Sequence, residues 1–402
     1  MKKQYDIVIV GAGTAGLCTA ALLASGDARQ RFAIRVVDAG SEPHLDPGSD
    51  IALRVSAISL GSMRILDRAG AWNDIEKARA FPYRDMRVWD ASSVVESNST
   101  LHFSAAEYGL PELGCIVENS LIQICLLQRL RELGVAVEFA TAIADAHREN
   151  GITTLRTEDG REYAADLVIA ADGANSPIRR RAAIAVSSWS YPQQAVVTHV
   201  KCALPHQHTA WQRFLTHGPI ALLPLDEQRV SIVWSTTPDR AEAALEATAK
   251  DLGNTLSRLS DYVLGELTVA GPRGSFPLRA QYAREYVRDG LALVGDAAHC
   301  VHPLAGQGAN LGFADAFELA QILAQAAGSG EHPGDLPVLR RYERARKGAN
   351  AIMLHFIDGL NRLFLSKIPV IKELRTTGMR LFNSSAVVKR RAARTALGID
   401  RI

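Results

Sequence analysis

The chain has 402 residues, 47% of them hydrophobic and 22% charged, enough apolar mass for two or three cores, which excludes a disordered or fibrous chain. No run reaches the about 18 consecutive apolar residues of a helical membrane span, and the five cysteines, at 18, 115, 125, 202 and 300, are odd in number and lack a CxxC pair, which points to a reducing cytoplasm and no zinc site. The net charge of +2 is unevenly placed, with ten Lys and Arg against two acids in residues 361–402, so the rest is net acidic and no nucleic-acid partner is expected.

In chain order, the two N-terminal lysines precede an apolar run that stops at a glycine turn without an A-x-A cleavage pattern. Tyr5 to Val10 therefore reads as a first strand and not as a signal. YDIVIV has the texture of a strand buried on both faces of a parallel sheet, and it runs into Gly11-x-Gly13-x-x-Gly16 and an Ala/Leu-rich helix. Gly11 suits the tight turn, Gly13 lets the backbone approach a pyrophosphate, and Gly16 lets the helix pack close to the strand. The helix N-terminal amides, around Ala15, then face the anion. A second strand, Ala33 to Val37, ends on Asp38, 22 residues after Gly16, the offset of the acid that holds a ribose diol. An adenosine diphosphate half is expected, with FAD and NAD undecided at this point.

Further along, Leu167 to Ala171 reads as a strand followed by Asp172, Gly173, Ser176 and Arg179; alone, such a DG is a common turn. Residues 180–275 carry short alternating runs, AVVTHVKC (195–202), GPIALLPL (218–225) and RVSIVWST (229–236), separated by turn residues. They read as an antiparallel sheet, joined by a strand near Met86 to Trp89. His206 and His208, in ALPHQHT, read as solvated.

The late segment LALVGDAAHCVHPLAGQGANLGFADAFELA (291–320) repeats the pattern of strand, turn and helix. Leu291 to Val294 delivers Gly295-Asp296, and a glycine-rich loop at 305–308 opens a helix at about Asn310. Asp296 is placed to accept hydrogen bonds from polyol hydroxyls, while Gly306 and Gly308 leave room for a flat ring against bare backbone. A nicotinamide enzyme has no use for this second element, and a flavin dinucleotide does. Asp296, His299 and His302 are not read as metal ligands, because the loop must wind past a cofactor and no further His or Cys cluster accompanies it.

The last segment, 361–397, reads as helical. Leu360, Leu363, Phe364, Ile368, Ile371, Leu374, Leu381 and Phe382 form its apolar side, and Lys367, Lys372, Arg375, Arg380, Lys389, Arg390, Arg391 and Arg394 its basic side. It fits either a solvated cap on the cofactor domain or a docking element for anionic lipid or for an assembly of biosynthetic enzymes.

The three fingerprints, a glycine-rich N-terminal turn, a mid-chain DG and a late GD, resemble those of class A flavoprotein monooxygenases of the para-hydroxybenzoate hydroxylase type. LRVSAIS (53–59), RVWD (87–90), GCIVENSLI (114–122), ADGANS (171–176), GDAAHCVHPLAGQGANLGFADA (295–316) and RRYERARKGA (340–349) are similar to the ubiquinone-biosynthesis hydroxylases, and among these to the 2-octaprenylphenol hydroxylases. Thr14 departs from the Pro or Met of many relatives, a change tolerated at a helix start.

Residues and resemblance together imply an α/β fold. A Rossmann-like FAD-binding domain (1–75, 100–180 and 276–350) would carry an inserted antiparallel β-sheet substrate domain (76–99 and 181–275) and a C-terminal basic helical region (351–402). The resemblance places Gly11, Gly13, Ala15, Gly16 and Asp38 at the adenosine diphosphate, Arg54 at the pyrophosphate, and Asn119 near the cofactor. It places Asp172 and Gly173 near both FAD and a passing NADPH or NADH, which has no Rossmann site of its own. Asp296 matches the ribityl contact, and Pro303, Gly306, Gly308, Ala309 and Asn310 the loop facing the isoalloxazine.

The implied activity is O2-dependent hydroxylation of a polyprenylated phenol, most closely at carbon 5, through a flavin C4a-hydroperoxide. No catalytic residue stands out. A flavin lipid reductase or dehydrogenase of the same fold, and a flavin-bearing scaffold without turnover, stay open, as does a homo-oligomer. The expected location is cytoplasmic, with the basic C-terminus available to the inner-membrane surface or to a soluble biosynthetic complex.

Overall fold

The computed structural model describes residues 4–46, 48–302, 306–366 and 368–399. The first strand, Tyr5–Val10, lies inside a six-stranded sheet in the order Val287–Arg288, Leu291–Leu293, Leu167–Ala170, Tyr5–Val10, Phe32–Val37, Ala136–Glu138. All neighbours are parallel except the edge hairpin formed by the first two. Ile7, Ile9, Val36, Leu167 and Ile169 are fully buried, as the unbroken apolar runs require of strands covered on both faces. Helix Thr14–Ala24 packs against helices Asn119–Glu132 and Gln307–Gly328, so its small residues Ala20 and Ala21 are buried too.

Register is what builds the site. Val10 pairs with Ala170, and Ala170 with Leu293, so the three strands end side by side. The loops after them, each carrying one fingerprint, emerge at the same sheet edge, where open parallel sheets bind ligands.

The expected antiparallel sheet is present and larger than the alternating runs suggest. It has eight strands in the order His299–Cys300, Leu267–Ala283, Val186–Cys202, Arg229–Thr236, Gly218–Pro224, Thr209–Leu215, Asp85–Asp90, Leu101–Ser104, with one parallel pair, Thr209–Leu215 on Asp85–Asp90. Period-two alternation divides its apolar residues. Val196, Val200, Ile220, Leu222, Ile232 and Trp234 form a second core that includes Leu252 and Leu256 of helix Ala249–Leu259. Ala195, Val197, Ala221, Leu223 and Val233 point the other way, into a cleft.

Several sequence expectations differ from the structure. Boundaries at 99/100 and 275/276 give way to strands of the large sheet, which takes in Leu101–Ser104 and runs through 275/276 to Ala283. The boundary at 350/351 falls inside one continuous helix, Leu336–Leu365. Its 30 residues, about 45 Å long, carry Val338 and Tyr342 in the main core and Ile357 and Phe364 against Val88 and Phe214 of the large sheet. His206 is buried, not solvated: its Nε2 meets the Asp226 carbonyl at 2.6 Å and its Nδ1 accepts the His208 N–H at 3.1 Å.

The C-terminal segment folds as helices Pro369–Ser384 and Ala386–Leu397. Arg375, assigned to the basic face, is instead buried. It pairs with Asp90 at 2.8 Å, donates to the Phe364 carbonyl at 3.0 Å and lies over the Phe364 ring. Lys389 bonds Glu107 at 3.0 Å. Arg380, Arg390, Arg391 and Arg394 are exposed. Lys367 lies outside the described residues, as do the side chains of Ile371, Lys372 and Leu374.

Candidate functional site

The glycines of the fingerprints fall into two groups. Gly11 has φ +113°, and a Cβ there would lie 2.3 Å from the Ala171 carbonyl oxygen; a Cβ on Gly16 would lie 2.0 Å from that of Gly11. Both are glycine because strand, turn and helix touch. Gly13 differs: its φ is −70°, open to any residue, and no described residue lies within 4 Å of its would-be Cβ. Gly308, in the first turn of helix Gln307–Gly328, faces the same open space. No contact with a described residue demands glycine at 13 or 308, so these positions leave room for something outside the chain.

That room is a cavity of about 530 Å³, within the range of small-molecule sites. Of the residues singled out from sequence, Gly13, Ala15, Arg54, Asn119, Gly173, Asp296, Gly306, Gly308 and Ala309 line it. Arg54 is exposed to the cleft with its guanidinium over the Phe276 ring at 5.7 Å, and it forms no salt bridge with a described residue. Asn119 opens its helix, and its Oδ1 accepts from Ser56 Oγ at 2.6 Å. Asp296 faces the cleft while protein surrounds it closely enough for desolvation to raise its carboxyl, against the pull of His299, Arg54 and Arg279.

The other residues stand behind this surface. The Asp38 carboxylate accepts from Ala12 N and Gly40 N, both at 2.6 Å; it pins the first glycine turn to the second strand and has further lone pairs that could accept. Asp172 accepts from Ile178 N at 3.1 Å and is raised by burial. Asn310 does not line the cavity. It is buried, accepts from Ser59 N at 3.0 Å and donates to the Ala57 carbonyl at 2.9 Å, so it braces the helix start. Pro303 lies outside the described residues.

Two buried arrangements had no sequence signal. Arg179, part of the DG motif, donates to the Ala297 and Ala174 carbonyls at 2.7 and 2.8 Å, tying the middle fingerprint to the late one. Behind Asp296, Asp315 accepts from Gly295 N and meets Arg346 at 2.7 Å, Asn350 at 2.9 Å and His299 Nε2. Burial acts to raise the Asp315 carboxyl, but the charges of His299 and Arg346 win and hold it at about 2. His299 thus turns to Asp315, and His302 packs against the Tyr191 ring.

Opposite the glycine-lined side, the eight-stranded sheet supplies an apolar wall of Met86, Ala195, Val197, Ala210, Leu223 and Val233, interrupted by Gln212. The donor set fits FAD: a bare-backbone turn and a free arginine for pyrophosphate, a carboxylate for hydroxyls, open glycines for a planar ring.

Comparison with known proteins agrees with this geometry. The FAD binding domain family matches residues 4–355. Over 99% of its length and 99% of the relative's, the chain is 35% identical to the 3-demethoxyubiquinol 3-hydroxylase of Escherichia coli (strain K12). It is 36% identical to the ubiquinone hydroxylase UbiL of Rhodospirillum rubrum over 98% of this chain and 90% of that one. The fold matches p-nitrophenol 4-monooxygenase PnpA from Pseudomonas putida DLL-E4 with a TM-score of 0.76 at 18% identity, covering all of both chains.

Proposed function

The chain belongs to the family of FAD-dependent aromatic monooxygenases that includes the ubiquinone-biosynthesis hydroxylases, and from this premise we propose that it hydroxylates the ring of a polyprenylated phenol, using O2 and NADPH or NADH. The observation that carries the reading is one cavity with two unlike sides, glycine-lined and polar on one, apolar on the other. FAD, once reduced, supplies activated oxygen for an electron-rich ring carbon.

The chain's own residues hold and orient. The backbone at Gly13 and Ala15 approaches the pyrophosphate, and Arg54 offers it a charged, planar fork of donors. Asp296 would accept from ribityl hydroxyls, Asn119 and Gly173 would flank the cofactor, and Gly306, Gly308 and Ala309 would lie against its ring. Gly11, Gly16, Asp38, Asp172 and Asn310 set the shape of these contacts. Wall residues from the large sheet exclude water from the reacting ring. The substrate unit comprises that sheet with helices Pro238–Glu246 and Ala249–Leu259.

The ring position is read as carbon 5, on the segment resemblances; the name of the E. coli relative favours position 3 of a demethoxy ring instead. Mass spectrometry of the prenylated intermediates in a strain lacking the gene tests both. Accumulated polyprenylphenol supports carbon 5, an accumulated demethoxyquinol overturns it for the later step, and no accumulation removes the protein from the pathway.

A polyprenyl chain partitions into the bilayer, and no described helix is long and apolar enough to cross one. The C-terminal helices present exposed apolar side chains, Leu381, Val387 and Val388, on the same two helices as the exposed Arg380, Arg390, Arg391 and Arg394. This pairing suits an anionic membrane surface, where each basic residue contributes about 1 kcal/mol.

A further inference from the structure

Gln212 is out of keeping with its surroundings. It lies in strand Thr209–Leu215, directly opposite Val88 on one neighbouring strand and Ala221 on the other, on the face that also carries Ala210. Every one of these neighbours is apolar. Gln212 is only 6% exposed, it lines the cavity, and its amide forms no hydrogen bond with any described residue. Buried polar groups in native proteins are nearly always bonded, and an amide left without a partner is destabilising.

The cofactor does not supply the missing partner. The contacts assigned to FAD come from the parallel-sheet loops, from residues 54 and 119 and from the late helix, whereas Gln212 stands on the wall that faces them. Apart from the Cys300 thiol at the far edge of the sheet, Gln212 is the one polar side chain that this wall gives the cavity among the described residues. A ligand lying between wall and cofactor, apolar over most of its surface and carrying one hydroxyl, satisfies the amide without disturbing the rest.

We propose that Gln212 is the contact that orients the substrate ring: its Oε1 accepts the hydrogen bond donated by the phenolic O–H. This rests on the prenylated-phenol reading given above. An amide takes up no proton here, so Gln212 acts by position and polarity. Accepting from the O–H raises electron density at the ring carbons ortho and para to the oxygen, where an electrophilic oxygen atom is received. It also fixes which of those carbons is presented to the cofactor side of the cleft.

The test uses the oxidised, FAD-loaded enzyme, so no turnover is involved. The probes are 2-geranylphenol and its methyl ether, which keeps ring and chain but has no O–H to donate; affinity is read from the perturbation of flavin absorbance. The wild type is expected to bind the phenol about tenfold more tightly than the ether, the upper range for one neutral hydrogen bond. Gln212→Met, of similar length but without an acceptor, should bind both probes equally with the flavin spectrum unchanged, and Gln212→Glu, which keeps an acceptor, should retain the preference. In turnover the Met variant should spread product over more than one ring carbon. If the Met variant is poorly soluble, Gln212→Asn, which withdraws the amide by one methylene, should show the same loss. A Met or Asn variant that keeps the full preference, or that loses FAD instead, overturns the proposal. A wild type that binds neither probe overturns the phenol reading itself, and this inference with it.

Discussion

Replacing Gly13 by alanine separates what the protein needs from what the cofactor needs. The backbone at Gly13, φ −70° and ψ 174°, is ordinary extended geometry that alanine adopts without strain, and its Cβ would meet no atom of a described residue within 4 Å. Cofactor-free Gly13→Ala should therefore be as stable as wild type or more so, by about 0.4–1 kcal/mol, because alanine restricts the unfolded chain. The same methyl occupies the path by which a pyrophosphate reaches the turn. Losing one hydrogen bond to a charged phosphate costs about 1.5–3 kcal/mol, or roughly 10- to 150-fold in Kd. Gly16→Ala is the contrast, because its Cβ falls 2.0 Å from the Gly11 carbonyl oxygen and overpacking of that kind costs about 1–3 kcal/mol or more. Urea melts of the apoproteins and fluorescence titration with FAD measure the two quantities separately. A Gly13→Ala protein that binds FAD with wild-type affinity, or whose apo form is destabilised, refutes the division of the glycines into packing and ligand groups.

Asp296→Ala should lower FAD affinity by about 1.5–3 kcal/mol with the fold retained; full occupancy at unchanged affinity would show that the late GD turn is structural. Asp315→Asn leaves Arg346 and His299 buried without their anion, and urea denaturation should show a loss of about 3–5 kcal/mol. The folded Asp315 carboxyl is depressed from its ordinary 3.8 to about 2, so its contribution is present above about pH 4 and lost as pH falls through 2; the Asn variant should lack that part of the acid slope. Neutralising Arg380, Arg390, Arg391 and Arg394 together should leave FAD content and Tm nearly unchanged and reduce sedimentation with anionic vesicles at low salt; unchanged sedimentation would make the exposed face of the tail structural.

Local signals were the readable ones. Strands Tyr5–Val10 and Phe32–Val37 and the late strand at Leu291 announce themselves through mainly apolar runs, interrupted only by Asp6 and Arg35, that end in glycine or aspartate, because a doubly covered strand and its turn are short-range features. The large sheet was under-read because its two longest strands contain Pro192, Pro272 and Pro277. Proline signals a stop from sequence, yet one pairing slips between Ser190 and Gln194 and accommodates Pro192 there. Arg375 and His206 were placed outside because polarity alone says solvent; each is drawn in by partners distant in sequence, Asp90 and the Asp226 carbonyl. The Asp315 network joins residues 31 and 35 apart, which no spacing rule anticipates. Gln212 stands beside Arg213 in the strand, a polar pair that sequence alone places at the surface, and only the tertiary fold turns the face of Gln212 into a cleft.

In the proposed reaction the oxygen of the new ring hydroxyl comes from O2. Turnover of 2-geranylphenol with NADPH or NADH under 18O2 in ordinary water, followed by mass spectrometry of the product, tests it most directly. One 18O atom is expected in each newly formed hydroxyl, and none when 16O2 is used in H2 18O. A hydroxyl whose oxygen comes from water, or nicotinamide oxidation that yields no hydroxylated ring, would contradict it.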